Sequence, residues 1–318
     1  MQKKDRSSGN WWYTVVVRKA KMEIPVETMS TLTMLHKWGF LNRSAKMLAK
    51  PLSLLVCSRL LYQPFTMIDA YLNYLLGKGA GSGGDLESEV NAALSLIHRP
   101  EPVIFDVGAN VGLWSELFSA ANPAARLLMF EPSPECRKEI ANRPSLRNAS
   151  VIPAAVGAQA GRAFLFFSEP TDQSASLYRR EDAFFQDRTY SQIEVDTVTI
   201  DDVIKAQLIE FVDFLKMDIE GHELFALHGA KDALSERRIG AMLFEFGSGN
   251  INSQTFFHQF WDLLDSAGFR IWRIAPGGKL VLINEYYEDL EYFRGVSNYV
   301  AELKDHPFAQ AANRKMRT

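Results

Sequence analysis

The 318-residue sequence predicts an α/β fold, a mainly parallel Rossmann-like sheet with helices on both faces and a helical extension at its N-terminal side. Three observations lead there. Short apolar runs recur from Val103 onward, as expected of strands buried on both faces of a parallel sheet. Helical segments separate most of them, the alternation that βαβ units produce. The first run leads directly into a glycine-bearing turn and a helix, VIFDVGANVGLWS over residues 103–115, the form of the first βα turn in nucleotide-type α/β domains.

Taken in chain order, residues 1–30 show no sustained period. From Thr31 to Leu76 apolar residues recur at helical spacing with breaks at Gly39, Pro51 and Pro64, which predicts about three helices. The run GKGAGSGGD at 77–85 lacks the Gly-Lys-Ser/Thr of a phosphate loop, since Gly79 follows Lys78. It is read as a flexible hinge. The expected organisation is therefore a basic, mostly helical extension at 1–85, a main domain at 86–300 and a tail at 301–318. Within the main domain, strands are expected at Val103–Val107, Leu127–Phe130, Ser150–Ile152, Phe214–Met217, Ala241–Phe246, Phe269–Ile274 and Lys279–Ile283. Helices are expected at Leu86–Ile97, Leu113–Ala121, Pro134–Asn142, Ile200–Gln207, Glu223–Ala233 and Gln254–Ala267. Residues 162–199 read as further β structure around a long loop, and a loop of that length in a compact domain is usually functional.

Composition narrows the function classes. Hydrophobic residues make up 47% and charged residues 23%, ordinary for a globular protein, and the net charge of −3 carries no overall nucleic-acid signature. The mean conceals an asymmetry. Residues 1–60 hold eleven Lys/Arg against three acids, leaving that segment at +8 and the rest at −11. A basic arm on an acidic body marks either a nucleic-acid or membrane-surface contact or simply a solvated, partly disordered extension. A peripheral membrane contact is the partner reading kept, and no specific nucleic-acid partner is expected. Cys57 and Cys136 are far apart without metal-ligand spacing, which argues against a disulfide framework or a zinc site and fits a reducing cytoplasm. No secretory signal is expected from the short run Trp11–Val17. Arg59, Gln63 and Pro64 interrupt Pro51–Ile68, so it predicts a buried or interfacial helix rather than a span.

The candidate site lies at the carboxyl ends of the predicted strands, where open parallel sheets bind ligands. Asp106 ends the first strand, and Gly108, Asn110 and Gly112 shape the turn after it. Asn110 stands where a dinucleotide fingerprint needs its second glycine, which disfavours a pyrophosphate. An amino-acid-bearing nucleoside fits better, with Asp106 pairing an ammonium and the turn amides receiving a carboxylate. Glu131 in LLMFEPSPE follows the second strand and is placed to accept two ribose hydroxyls. Small residues around Ala155 leave room for an adenine ring. In FVDFLKMDIEGHE, Lys216, Asp218, Glu220 and His222 reach the same crevice as candidate bases for a hydroxyl nucleophile. Helix capping is the bland alternative for Asp218 and Glu220, and a solvent-facing helix start for His222. Glu245, in AMLFEFG, is expected at the mouth of the fifth strand, because a charge inside such a run is costly. No metal is required, although Asp218, Glu220 and Glu245 would make a site if they converged.

Together DVGANVG, FEPSP, AAVG, QSASL, TIDD, KMDIEGHE and FEF, in that order between about residues 86 and 283, resemble the FkbM family of methyltransferases. The resemblance implies a seven-stranded class I methyltransferase fold, S-adenosylmethionine (SAM) as cofactor, and O-methylation of a sugar, glycan or secondary-metabolite-like hydroxyl. It implies that Asp106, Gly108, Asn110, Gly112 and Glu131 bind SAM. It places Lys216, Asp218 and Glu220 at the methyl-transfer site. The position held here by His222 varies in the family, and His222 and Glu245 are read as facing the acceptor only from their places at the strand ends. The extension lies outside it. Two other readings compete: an NAD-dependent oxidoreductase, which Asn110 disfavours, and a non-catalytic SAM-fold module that uses its basic arm to hold RNA or a membrane.

Overall fold

A computed structural model describes residues 47–81, 85–180 and 189–307. The basic arm up to residue 46 lies outside the described residues, as does most of the expected tail. The chain divides into two units, Met1–Lys46 and Met47–Thr318, and all that follows concerns the second.

Five parallel strands form the centre of the main sheet: β1 (Val103–Val107), β2 (Arg126–Phe130), β3 (Ser150–Ile152), β7 (Val212–Met217) and β8 (Ile239–Gly247). The order across the sheet is β10-β9-β11-β8-β7-β1-β2-β3, with β9 (Phe269–Ala275), β10 (Lys279–Ile283) and β11 (Val296–Leu303) antiparallel to their neighbours. A second, three-stranded sheet holds β4 (Ala155–Val156), β6 (Ser191–Val198) and β5 (Gly161–Phe167) in that order, the β structure anticipated around 162–199. The class I fold is thus present, with eight strands in the main sheet where seven were expected. The missed strand is β11, SNYVAEL with flanking valine, which sits between β8 and β9 and leaves β10 at the edge. Its mixed composition hid it, because Ser297 and Asn298 are polar yet buried.

Helices cover both faces because strand side chains alternate. Phe105, Val107, Leu215 and Met217 join the larger core cluster. That face is closed by α5 (Ile200–Ala206), α6 (Glu223–His228), α7 (Lys231–Ser235) and α8 (Phe257–Ser266). Ile104, Met129, Phe214 and Leu243 face the other way, under α2 (Leu86–Leu96) and α3 (Leu113–Ala121). Local chemistry sets several starts. The Asp85 carboxylate accepts from the Ser88 amide at 3.1 Å at the head of α2, and Thr199 Oγ1 accepts from Asp202 N at 3.0 Å at the head of α5. Ser133 caps α4 (Pro134–Ala141), whose first residue is the proline favoured there. The single helix expected over Glu223–Ala233 is two, α6 and α7, separated around Gly229 and Ala230.

Residues 47–56 are helical, Pro51 included, and α1 (Tyr62–Leu75) takes Pro64 in its first turn, where the missing N–H is tolerated. The break falls at 57–61 instead. The start of the glycine run is also tighter than a free hinge. Gly77 and Gly79 hold left-handed φ values of 79° and 75°, and a Cβ on either would run into the carbonyl oxygens of Ile274 and Arg294 respectively. The Gly79 amide donates to Ser297 Oγ at 2.8 Å. These glycines let the chain approach β9 and the start of β11 backbone to backbone.

Candidate active site

A cavity of about 860 Å³ opens at the carboxyl ends of β1, β2, β7 and β8. Its walls include Gly108, Asn110, Glu131, Ala155, Lys216, Asp218, Glu220, His222 and Glu245. Nine of the eleven residues singled out from the sequence therefore share one space. The other two, Asp106 and Gly112, stand behind it.

The turn after β1 is built with backbone economy. Gly108 has φ 79°, and a Cβ there would strike the carbonyl oxygen of Asp218, so glycine lets the exits of β1 and β7 touch. Asn110 takes φ 48°, a left-handed conformation that Asn tolerates better than most side chains. Its Oδ1 accepts from Val111 N at 2.8 Å and its Nδ2 donates to the Asp172 carbonyl at 3.3 Å. Gly112, at φ 83°, packs against Leu146, which explains the glycine without a ligand. The turn amides were expected to receive a carboxylate, but they are already committed. Gly108 N and Ala109 N donate to the Phe130 carbonyl, Asn110 N to Glu131 Oε2, and Gly112 N to the Ala109 carbonyl. The next amides, of Leu113 and Trp114, open α3, where N–H groups lack intrahelical partners, and both residues line the cavity.

Glu131 accepts from Asn110 N at 2.8 Å and from Ser133 N at 2.7 Å, one bond to each carboxylate oxygen. Each oxygen keeps acceptor capacity for a further donor. Burial pushes its pKa up to about 7 despite these bonds.

Asp106 is fully buried and does not reach the cavity wall. Its Oδ2 accepts from Ser115 Oγ at 2.7 Å, and its Oδ1 lies 3.3 Å from Lys216 Nζ. The register explains this pairing, since Asp106 and Lys216 are direct partners across β1 and β7. Its partner in this structure is therefore a lysine instead of a ligand ammonium. Lys216 Nζ also lies 3.2 Å from Asp218 Oδ2 and 5.9 Å from the Trp114 ring centroid. Burial opposes its charge, but Asp218, Asp106 and Glu89 outweigh that and drive its pKa well above the usual lysine value. A lysine so held stays protonated and cannot serve as the base for a hydroxyl.

Neither Asp218 nor Glu220 caps the helix that follows. The N-cap position is His222 and carries no side-chain cap, while fully buried Glu223 ties down the turn before the helix, its Oε1 accepting from Ile219 N at 3.0 Å and Gly221 N at 3.2 Å. The capping alternative thus fails on geometry. Asp218 keeps 35% of its side chain exposed towards the cavity, Glu220 18%. Glu220 sits in a left-handed conformation, φ 56°, with its carboxylate paired to Arg180. Burial pushes its pKa up to about 8 and Arg180 pulls it back. Gly221, at φ 101°, abuts the backbone of Gly249 at the exit of β8. The Glu245 side chain is half-buried, has no hydrogen-bond partner shown among the described residues, and is raised well above the usual range by burial and by Asp218, Glu220, Glu223 and Glu89 around it. No group of three His, Cys, Asp or Glu side chains among the described residues is gathered to hold a metal ion, so the three acids do not converge into such a site.

His222 faces the cavity rather than solvent. Its Nδ1 shares a 3.0 Å hydrogen bond with Tyr178 Oη and its ring stacks on Phe225 at 4.8 Å. Burial lowers its pKa to about 4, so it is neutral near pH 7.

Several wall residues were missed from the sequence. Glu89 comes from α2, accepts from Asn298 Nδ2 at 2.7 Å, and is pushed up to about 7 by burial. Its only sequence signal was an acid in a helix otherwise apolar on that side. The loop after β5 contributes Asp172, Ser176, Leu177 and Arg180. Asp172 organises it by accepting from the amides and hydroxyls of Ser168 and Ser174 at 2.6–2.9 Å, which holds its own pKa down against burial. Those spaced serines were the available clue, since Asp and Ser together build such turns.

The family model for the methyltransferase FkbM domain matches residues 106–271, just over half of the chain. The chain belongs to the FkbM methyltransferase family. Membership implies a methyl donor as cofactor and decides against the NAD-dependent oxidoreductase. Among curated relatives, the 2-O-methyltransferase NoeI of Sinorhizobium fredii is 28% identical over 159 residues, 46% of this chain and 64% of that protein. The hexuronic acid methyltransferase AglP of Haloferax volcanii is 26% identical over 152 residues, 47% of this chain and 59% of that protein. The 31-O-demethyl-FK506 methyltransferase FkbM of Streptomyces tacrolimicus is 31% identical over 160 residues, 42% and 62% respectively. The chain thus spans less than two thirds of the length of these relatives. A crystal structure of methyltransferase FkbM from Methylobacillus flagellatus KT is 17% identical, covers 64% of this chain and 44% of that one, and superposes with a TM-score of 0.38. The fold rests on the strand order above and not on that likeness. Among the described residues no helix is long and apolar enough to cross a membrane.

Proposed function

We propose that this FkbM-family chain is a SAM-dependent O-methyltransferase acting on a hydroxyl of a sugar, glycan or secondary-metabolite-like acceptor. One observation carries the reading. A single cavity joins Glu131, a carboxylate with spare acceptor capacity at the end of β2, to the charged cluster at the ends of β7 and β8. Two strand spacings, about 10 Å, separate β2 from β7. Its size falls within the range of small-ligand pockets.

Glu131 would accept the ribose hydroxyls, Ala155 and Val156 would wall the adenine, and the Leu113 and Trp114 amides would receive the carboxylate. When bound, SAM supplies an electrophilic methyl group on a sulfonium. Everything else falls to the chain. Asp218, the more open of the two acids after β7, takes the proton from the acceptor hydroxyl. Lys216, pinned between Asp106 and Asp218, fixes the direction of that carboxylate. Arg180 and Glu220 orient the acceptor across the loop after β5, and His222 and Glu245 face it. Positioning accounts for much of the expected rate, since the sulfonium is already a good leaving group. Relatives named as a 2-O-methyltransferase, a hexuronic acid methyltransferase and a 31-O-demethyl-FK506 methyltransferase support the acceptor class.

The test is calorimetric titration with SAM followed by transfer of labelled methyl to a panel of uronic acids, oligosaccharides and polyketide alcohols. Labelled O-methyl product is expected from at least one class. Tight SAM binding with no transfer to any hydroxyl would favour the non-catalytic module.

A further inference from the structure

We infer that α1 and the helical stretch before it form a docking surface for an anionic phospholipid membrane. Fifteen of the 23 exposed large hydrophobic side chains among the described residues lie between Met47 and Leu76. Monomeric globular proteins rarely gather so much apolar surface in one place. In α1 itself no residue is buried.

The helix is turned the wrong way for a core. Gln63, Thr66, Asp69 and Asn73 share one narrow stripe at helical spacing. Two points on that stripe, the Asp69 carboxylate and the Thr66 carbonyl, meet the catalytic body. Arg294 Nη2 pairs with Asp69 Oδ2 at 2.7 Å, and Arg294 Nη1 donates to the Thr66 carbonyl at 3.2 Å. At the C-terminal end, Arg273 Nε donates to the Leu76 carbonyl at 2.8 Å. Met67, Ile68, Tyr71, Leu72 and Leu75 occupy the remaining arc, each 48–70% exposed. Polar anchors therefore hold the helix to the protein and leave its apolar arc outward.

Charge and composition identify the occupant. Lys50 and Arg59 stand in this stretch, while Asp69 is already paired with Arg294. Nine further Lys/Arg against three acids precede residue 47. Basic residues in and next in sequence to an exposed apolar helix suit anionic headgroups. Tyr62, Tyr71 and Tyr74 are of the type enriched where lipid meets water. α1 is too short to span, so it would lie in the plane of the interface.

The experiment is co-sedimentation of the full chain with vesicles of phosphatidylcholine alone and of phosphatidylcholine mixed with phosphatidylglycerol, at low and high salt. A double variant, Ile68→Ser with Leu72→Ser, accompanies it, and both are checked by SAM titration and light scattering. Binding is expected to the anionic vesicles, reduced by salt, and about tenfold or more weaker in the variant, whose SAM affinity should be unchanged. Wild-type protein that stays in the supernatant at low salt overturns the proposal. So does a variant that sediments like wild type. A dimer in solution that the variant abolishes, without vesicle binding, assigns the surface to a second copy and overturns it too.

Discussion

At the scale of single residues, the cavity separates groups that hold from groups that react. Asp218→Asn is expected to lower methyl transfer about 10²–10⁴-fold, the range for a lost general base, while SAM affinity stays near wild type. Turnover and calorimetry on one preparation check this, and near-normal turnover would return the search to Glu245. Glu131→Gln should weaken SAM binding by about 1.5–3 kcal/mol, the scale of hydrogen bonds to a charged group. The same carboxylate sets a pH dependence. With its pKa near 7, Glu131 gains a proton as pH falls below that value and loses an acceptor. SAM affinity should therefore decline from pH 8 to pH 6 in wild type and be flat in the Gln variant, as titrations at stepped pH would show. The residue chemistry was partly legible beforehand. Acids at strand ends were visible because an ionic side chain interrupting an apolar run must lie at its mouth or be paired. Asp106 shows the limit of that logic. It is paired, to Lys216, and the sequence offers no way to tell a ligand's ammonium from a neighbour's.

At the scale of elements, strand-turn-helix units were legible because period and punctuation agree. VIFDVGANVG carries a buried run, a left-handed asparagine and two glycines in the order its turn requires. The least legible elements were those whose partners lie far away in sequence. Residues Val296–Leu303 read as mixed and become a strand because β8 and β9 flank them. The glycines at 77 and 79 read as slack, but they serve close packing. Gly108 gives a direct test of that kind of packing. Gly108→Ala must place a methyl group against the Asp218 carbonyl in a left-handed conformation. A loss of about 1–3 kcal/mol is expected from backbone strain alone, measurable by urea unfolding. Gly161→Ala has ordinary space around it and is the control.

At the scale of the whole molecule, buried ionisable groups govern how stability responds to pH. Burial pushes Glu89, Glu131 and Glu223 each up to about 7. The folded state then keeps protons that the unfolded chain releases above its own carboxyl pKa of about 4.3, so stability contributed by these groups falls as pH rises through that window. His222 and His306, lowered to about 4, act oppositely, because the unfolded chain binds protons below about 6.5 that the folded one refuses. The carboxyls outnumber the histidines. The melting temperature is expected to be highest in mildly acidic buffer and to decline towards pH 7, and a scan across pH 5 to 8 that rises instead would refute the balance.

The strand order also bears on how the protein is made. β11, close to the end of the described chain, is inserted between β8 and β9, so the ribosome delivers an interior strand of the sheet after both of its neighbours. Until then the nascent chain carries two unpaired strand edges, one on β8 and one on the β9–β10 hairpin, each open to another chain. Synthesis halted before Val296 would leave a polypeptide with most of its catalytic side chains in place and no means of sealing its sheet. The interval before β11 emerges, more than the folding of the earlier strands, is then the step most exposed to aggregation.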